Sequence, residues 1–307
     1  MKLVSVITVL WLACVANAQW PLSIIDVLEK IGNETTLISL TKQAGLYDKL
    51  SGLGPFTMFA PNDRAFELLP KDVMNKLQSN KTLLKEVLEA HIVTDKVPIV
   101  DWTNDMLIPT MGGQNIRINI YDVSPMAITL TANGAGVVNP DCHAIAGFVQ
   151  TIDLVMYPLI NGTIMTEITS NTNLSTLANA VSKAGLVPTL SASNGNFTIF
   201  APTNAAFAKL PAGVLDGLLK NVTALKNVLT YHVLSDVYNR VGLYYSHTLR
   251  TMEGKNVTIK ATSRESIMVN NAAVLTEISK INGVLQVIDT VLIPPTMHFE
   301  LVHNKDK

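Results

Sequence analysis

Cysteine is almost absent: there are two in 307 residues, Cys14 and Cys142. A disulfide framework is thereby excluded, and burial of apolar surface must carry the fold. Charge is scarce too, at 15% Asp, Glu, Lys and Arg with a formal net charge of −1. Lys and Arg form no cluster, which argues against a nucleic-acid partner and against strong heparin binding. No acidic run is present to hold calcium. No apolar run reaches the ~20 residues needed to span a bilayer; the best internal candidate, 149–160, is broken by Asp153 and Pro158. HExxH, GxSxG, P-loop, Rossmann-type glycine and EF-hand patterns are all missing. The histidines are scattered, at 91, 143, 232, 247, 298 and 303. Cys142 and His143 are adjacent, so on a strand they point to opposite faces and make a poor nucleophile–base pair. No catalytic residue, metal site or cofactor is expected.

What the chain does have is a repeat. FTMFAPNDRAFELLP at 56–70 returns as FTIFAPTNAAFAKLP at 197–211, with nine of fifteen positions identical at an offset of 141. Lys85, Val87, Leu88, His91 and Asp95 fall on Lys226, Val228, Leu229, His232 and Asp236 at the same offset. Ile152-Asp153 matches Ile288-Asp289 at 136, so copy one carries five extra residues, expected around Asn133 to Pro140. A period of this length is the size of a domain, not of a solenoid repeat. With 48% hydrophobic residues there is material for two cores. The expected boundaries are a leader at 1–18, domains at 19–158 and 159–297, and a polar tail at 298–307.

The leader reading rests on Lys2, the apolar run 3–15 and the small-x-small site Ala16-Asn17-Ala18. No hydrophobic C-terminal anchor signal follows. A secreted, soluble product is expected, and Cys142 becomes its sole cysteine. That leaves no intrachain disulfide: Cys142 is either buried and inert or available for an intermolecular bridge. Seven N-glycosylation sequons occur, at Asn33, Asn80, Asn161, Asn173, Asn196, Asn221 and Asn256. Asn80 and Asn221 are equivalent in the two copies and stand where a helix N-cap is expected.

Apolar spacing of three and four predicts helices early in each copy, at 23–28 and 36–40 and at 176–181. The repeated box reads as strand, turn and short helix, capped by Asn62 or Asp63 and by Thr203 or Asn204. Two more helices follow (72–78 and 81–90; 212–219 and 224–231). The period then changes to two at 116–120 and 257–260, with further strands at 127–131 and 267–269. Each copy closes on a β-rich run, 147–157 and 283–293. Helices first and strands last indicate an α+β domain with a mostly antiparallel sheet.

These residues resemble the fasciclin-type (fasciclin/periostin-like) adhesion domain. The marks are the Phe-Thr-x-Phe-Ala-Pro-x-[Asn/Asp]-x-Ala-Phe box, the following histidine, and the closing run Gly-Val-x-x-x-Ile-Asp, intact from Gly283 and looser from Gly147. All occur twice, in order, over almost the whole chain. The resemblance implies a wedge-shaped, mostly antiparallel β-sandwich flanked by helices in each domain. It implies non-catalytic extracellular work in adhesion or matrix organisation, through matrix proteins, glycans or integrin-type receptors. An Asp-Ile pair linked to integrin recognition in some members corresponds here to Asp141-Cys142 and Glu277-Ile278. A Tyr-His pair corresponds to Ala90-His91 and Tyr231-His232. The adhesion candidates are therefore Tyr231, His232, Glu277, Ile278, His91 and Asp141. Both histidines also read as structural bridges between a helix and a strand, and the repeated Asp153 and Asp289 as acceptors of backbone bonds. Two other readings stay open: a structural component of an extracellular, including mineralised, matrix without a cell receptor, and a lipid or small-ligand module.

Overall fold

A computed structural model describes residues 22–124 and 127–297. The leader with Cys14, and the tail with His298 and His303, lie outside the described residues. The chain divides into two compact units between Ile160 and Asn161.

Unit 1 opens with α1 (Ile24–Ile31) and α2 (Thr35–Ala44), followed by a short α3 (Tyr47–Leu50). Ser23 and Asp26 form a capping box on α1, and Gly32 ends it in the left-handed conformation. The repeated box gives β1 (Phe56–Pro61) and α4 (Asp63–Glu67). Its two polar residues cap two different helices. Asn62 accepts the Ala65 N–H of α4 at 2.9 Å, while Asp63 accepts the Thr36 N–H of α2 at 2.7 Å. In unit 2 Thr203 and Asn204 divide the same work, on Ala206 N–H and Thr176 N–H. Helices α5 (Lys71–Ser79) and α6 (Lys81–Glu89) follow, with Asn80 as the N-cap of α6.

The strands are β2 (Ile92–Val93), β3 (Leu107–Pro109), β4 (Asn115–Ser124), β5 (Ala127–Ala132), β6 (Ala135–Ala144) and β7 (Gly147–Ile152). With β1 they form one seven-stranded sheet in the order β2-β1-β7-β6-β5-β4-β3. Every pair is antiparallel except β1 with β7, which run parallel from Phe56↔Gly147 to Pro61↔Ile152.

Unit 2 repeats the plan. Its helices are α7 (Ile164–Ser170), α8 (Ser175–Lys183), α9 (Val187–Ser191), α10 (Asn204–Ala208), α11 (Val214–Lys220), α12 (Val222–Tyr231) and α13 (Arg240–Tyr245). Its strands are β8 (Phe197–Pro202), β9 (Val233–Leu234), β10 (Thr248–Arg250), β11 (Asn256–Ala261), β12 (Ile267–Val269), β13 (Ala272–Lys280) and β14 (Gly283–Ile288), joined in the equivalent order.

Each unit holds two cores, and β1 explains why. Its side chains alternate across the sheet. Met58 and Ala60 pack with the helices, while Phe59 enters a second cluster with Val93, Ile108, Ile116, Ile118, Ala135 and Ile152. That cluster draws on both edge strands, β2 and β3, so the sheet curls upon itself. The Met111 N–H, just past β3, donates to the Ile92 carbonyl of β2 at 2.7 Å, and Met252 does the same to Val233. The sheet is thus nearly barrel-like, and its edges are short and largely masked.

The extra residues of unit 1 are not mainly where the sequence reading put them. Arg117 N–H bonds the Asn133 side chain across 16 positions, but the matching bond from Thr258 to Asn270 spans 12. Four extra residues therefore lengthen the β4–β5 hairpin. Gly136 and Asp153 are 17 apart where Ala273 and Asp289 are 16 apart, so only the fifth lies in the expected stretch, as a bulge in β6. The added residues prolong β4 and β5, which pair from Ile118↔Ala132 to Ser124↔Ala127 with a bulge between Asp122 and Ser124, so the insertion is paired strand and not a separate loop.

One difference between the copies yields a stability prediction. Fully buried Glu34 accepts from Thr151 Oγ1 and from Asn33 N–H, both at 3.1 Å, and burial holds its carboxyl above the usual range. Unit 2 has Leu174 and Val287 at these places, both buried. A buried hydrogen-bonded pair replaced by apolar residues of the same shape is often nearly neutral or stabilising. The double variant E34L/T151V is expected to be at least as stable as the parent in urea unfolding. E34L alone should lose ~1–3 kcal/mol, because the Thr151 hydroxyl loses its acceptor. A double variant no better than E34L would count against this account.

Candidate functional site

The two repeated histidines occupy identical settings. His91 follows α6 and is fully buried; His232 follows α12 and is 2% exposed. Each Nε2 accepts a backbone N–H from the segment after the closing strand: Met156 to His91 and Leu292 to His232, both at 2.9 Å. Nδ1 therefore carries the proton and donates back one helical turn, to Val87 O at 2.8 Å and Val228 O at 2.7 Å. Burial pushes both rings down to about 4 from the ordinary 6.5. They are structural bridges in this conformation.

That geometry sets a pH dependence. Between pH 6.5 and about 4 the unfolded chain protonates these rings and the folded chain does not, so stability falls as pH falls through that window. The drop from 6.5 to about 4 corresponds to roughly 3 kcal/mol per ring once complete. Asp63, Glu167 and Asp289, all held below their ordinary values, add to the loss at lower pH. Glu34, Asp141 and Glu277, pushed up by burial, oppose it as they protonate. Urea midpoints at pH 7.5 and 5.0 are expected to show the decline. H91Q should flatten the unit 1 slope whatever it does to absolute stability; an unchanged slope would contradict this assignment.

Tyr231, beside His232, is 1% exposed. Its hydroxyl donates to Asn256 O at 2.9 Å and accepts from Asn270 Nδ2 at 3.1 Å, tying α12 to the sheet. Unit 1 has Ala90 there, and its second core takes aromatic bulk instead from Trp102, stacked on Phe59 with centroids 5.7 Å apart.

The acidic members of the other two pairs are held alike. Asp141, in the left-handed region at φ 48°, receives the Ile99 N–H at 3.1 Å and Gln150 Nε2 at 2.6 Å. Glu277 receives the Arg240 N–H at 2.6 Å and Gln286 Nε2 at 2.7 Å. In both units the carboxyl thus caps the short helical turn after β2 or β9, which starts at Ile99 in one and Arg240 in the other. The sequence reading missed the glutamines. Their signal was available: one amide at the same step of an apolar closing strand in both copies, fully buried in each. The copies differ in the amide oxygen. Gln150 Oε1 accepts the Asp141 N–H at 2.8 Å, a contact allowed by the β6 bulge. Gln286 Oε1 is, among the described residues, a buried side-chain acceptor without a partner.

Of the six adhesion candidates, four are buried, and Glu277 and Ile278 are half-buried. Asp141 and Glu277 are brought to the same place in their units; their chain neighbours Cys142 and Ile278 face elsewhere. Cys142 packs in the helix-side core at 1% exposure, and Ile278 flanks the matching core. Cys142 is disulfide-bonded, where the sequence reading left it either buried and inert or available for an intermolecular bridge. Asp153 and Asp289 accept backbone N–H groups from Gly136 and Ala273. His143 lies exposed against Phe148, with ring centroids 4.9 Å apart. Among the described residues, no three His, Cys, Asp or Glu side chains are grouped to hold a metal ion. No helix among them is long and apolar enough to cross a membrane.

The Fasciclin domain family model matches residues 32–158 and again 172–294. Transforming growth factor-beta-induced protein ig-h3 of Sus scrofa is 31% identical over 293 residues, covering 93% of this chain and 42% of its own. Periostin of Homo sapiens is 31% identical over 264 residues, covering 85% of this chain and 31% of its own. This chain thus spans well under half the length of these relatives. A solved FAS1 domain pair from the insect cell adhesion molecule Fasciclin I aligns with 87% of this chain and 99% of its own, at 19% identity and a TM-score of 0.41.

Proposed function

The chain belongs to the fasciclin family, and from that premise we propose that it is a non-catalytic extracellular adhesion or matrix-binding protein. One observation carries the reading: the family pattern occupies both units, so the chain is built almost wholly from two adhesion-type domains. In this reading residues 1–18 are a secretory leader, the domains span 19–158 and 159–297, and the product goes to the extracellular matrix. Two linked sites raise the effective concentration for the second contact, which suits weak binding to a repetitive matrix polymer.

The six candidate residues then act chiefly by holding surface in shape. Tyr231, His232, His91 and Asp141 support it from inside, Glu277 holds the turn that starts at Arg240, and Ile278 is half-buried. Binding to matrix proteins or glycans without a cell receptor is the second reading. What favours it is that both acidic side chains, Asp141 and Glu277, are already bonded to backbone and glutamine.

Cell attachment to the immobilised protein separates the two. Attachment that EDTA abolishes is the expected result, since integrin-type recognition needs a divalent cation. No attachment on protein shown to be folded would sink the receptor reading, and binding to matrix polymers that persists in EDTA would establish the second.

A further inference from the structure

Four of the seven sequons form two equivalent pairs, and the structure places each pair alike. Asn33 and Asn173 stand two residues before α2 and α8, exposed in both units. Asn80 and Asn221 are the exposed N-caps of α6 and α12. Each cap uses its Oδ1, which accepts Leu83 N–H or Ala224 N–H at 3.0 Å. Capping therefore engages the side chain through its oxygen and leaves the amide Nδ2 out of the cap, on an exposed residue. The two demands on the residue, cap and acceptor of a glycan, fall on different atoms. In unit 1, Gln43 Nε2 near the end of α2 donates to Gln78 O, two residues before Asn80. Asn33 and Asn80 thus lie toward opposite ends of α2, a helix about 15 Å long by the rise of its ten residues.

The remaining sequons contrast with these. Asn196 is half-buried beside β8, and the hydroxyl of its sequon partner Thr198 is buried and bonded to Asp236 O and Tyr238 N–H. Asn256 is exposed, but its equivalent Asn115 lacks the Thr, and Asn161 lies at the division between the units.

We propose that Asn33, Asn80, Asn173 and Asn221 carry N-linked glycans, making the helical layer of each unit a carbohydrate-covered face and leaving the sheet side for partners. The inference rests on the extracellular reading. The donor is a lipid-pyrophosphate-linked oligosaccharide. The bond between its first sugar carbon and the phosphate oxygen breaks, that carbon bonds to Asn Nδ2, the lipid pyrophosphate leaves with the bonding electrons, and the displaced amide proton goes to a base.

The test is expression of the full chain in a secreting eukaryotic cell, with enzymatic deglycosylation in heavy-oxygen water and peptide mass mapping. Each formerly occupied Asn becomes a labelled Asp. Label at all four positions and none at Asn196 is expected, with T82A and T223A each removing one glycan. Unmodified chain inside the secretory lumen would overturn the glycan assignment alone. Unmodified chain found only outside that lumen would overturn the extracellular reading on which it rests.

Discussion

G147A and G283A are each expected to unfold the unit that carries them. Gly147 has φ 150° and Gly283 φ 142°, within the region that L side chains avoid. A β-carbon built on Gly147 would overlap the carbonyl oxygen of Phe56, and one on Gly283 that of Phe197. In both cases the obstacle is backbone, not the movable end of a side chain. Those residues are also register partners, at the first step of the parallel pairs β1–β7 and β14–β8. The substitution therefore strikes the ladder that joins the repeated box to the closing run. A loss above ~4 kcal/mol is expected, in the range reserved for such backbone conflicts, against the ~5–15 kcal/mol of a typical domain. Trp102, 3% exposed in unit 1, reports the outcome by fluorescence in a W20F background, since unit 2 contains no tryptophan. G147A should shift Trp102 emission to that of a solvated ring under conditions where G283A leaves it unchanged. A G147A protein whose unfolding midpoint stays at the parent value would refute the argument.

R117A should cost unit 1 ~3–5 kcal/mol, the usual penalty for removing one partner of a buried ion pair. Arg117 Nη1 lies 3.5 Å from Asp105 Oδ1, with side chains 8% and 12% exposed. Asn119 Nδ2 adds a bond to the same oxygen at 2.8 Å, and Asp105 itself sits at φ 61°. Burial draws the Arg117 guanidinium below its ordinary range, and the charge of Asp105 works against that shift. Without the cation the carboxylate loses its main compensation for being out of water. Unit 2 lacks the pair: Ser246 and Thr258 stand at the corresponding positions. The double variant D105S/R117T is therefore expected to be more stable than R117A, and a double-mutant cycle in urea should return a coupling of ~1–3 kcal/mol. Additive single losses would show that the two side chains do not depend on each other.

Reading the sequence alone already fixed a good deal. The repeat announced two equal domains, and helix periodicity followed by strand alternation announced an α+β fold with a mostly antiparallel sheet. The caps at Asn62, Asn80, Thr203 and Asn221 were legible because capping is local: an Asn or Thr two or three residues ahead of an apolar-periodic run has one good use. The strand at 135–144 was not legible. It contains Pro140 and a left-handed Asp141, and only its bulges let such residues sit in a sheet.

What the tertiary structure alone decided are the long-range pairings. Nothing local says that β1 runs parallel to β7 some 90 residues later, or that β3 returns to β2 and curls the sheet around a second core. Those contacts depend on which surfaces meet, and a one-dimensional pattern of apolar residues is compatible with many such meetings. The same limit applied to the site. The sequence pointed to His91, His232, Asp141 and Glu277 as chemically conspicuous, since polar groups amid apolar runs always are. Whether such a group faces a partner or the protein's own backbone is set by what packs over it, and here Met156, Leu292, Ile99 and Arg240 supply the backbone N–H groups that occupy them.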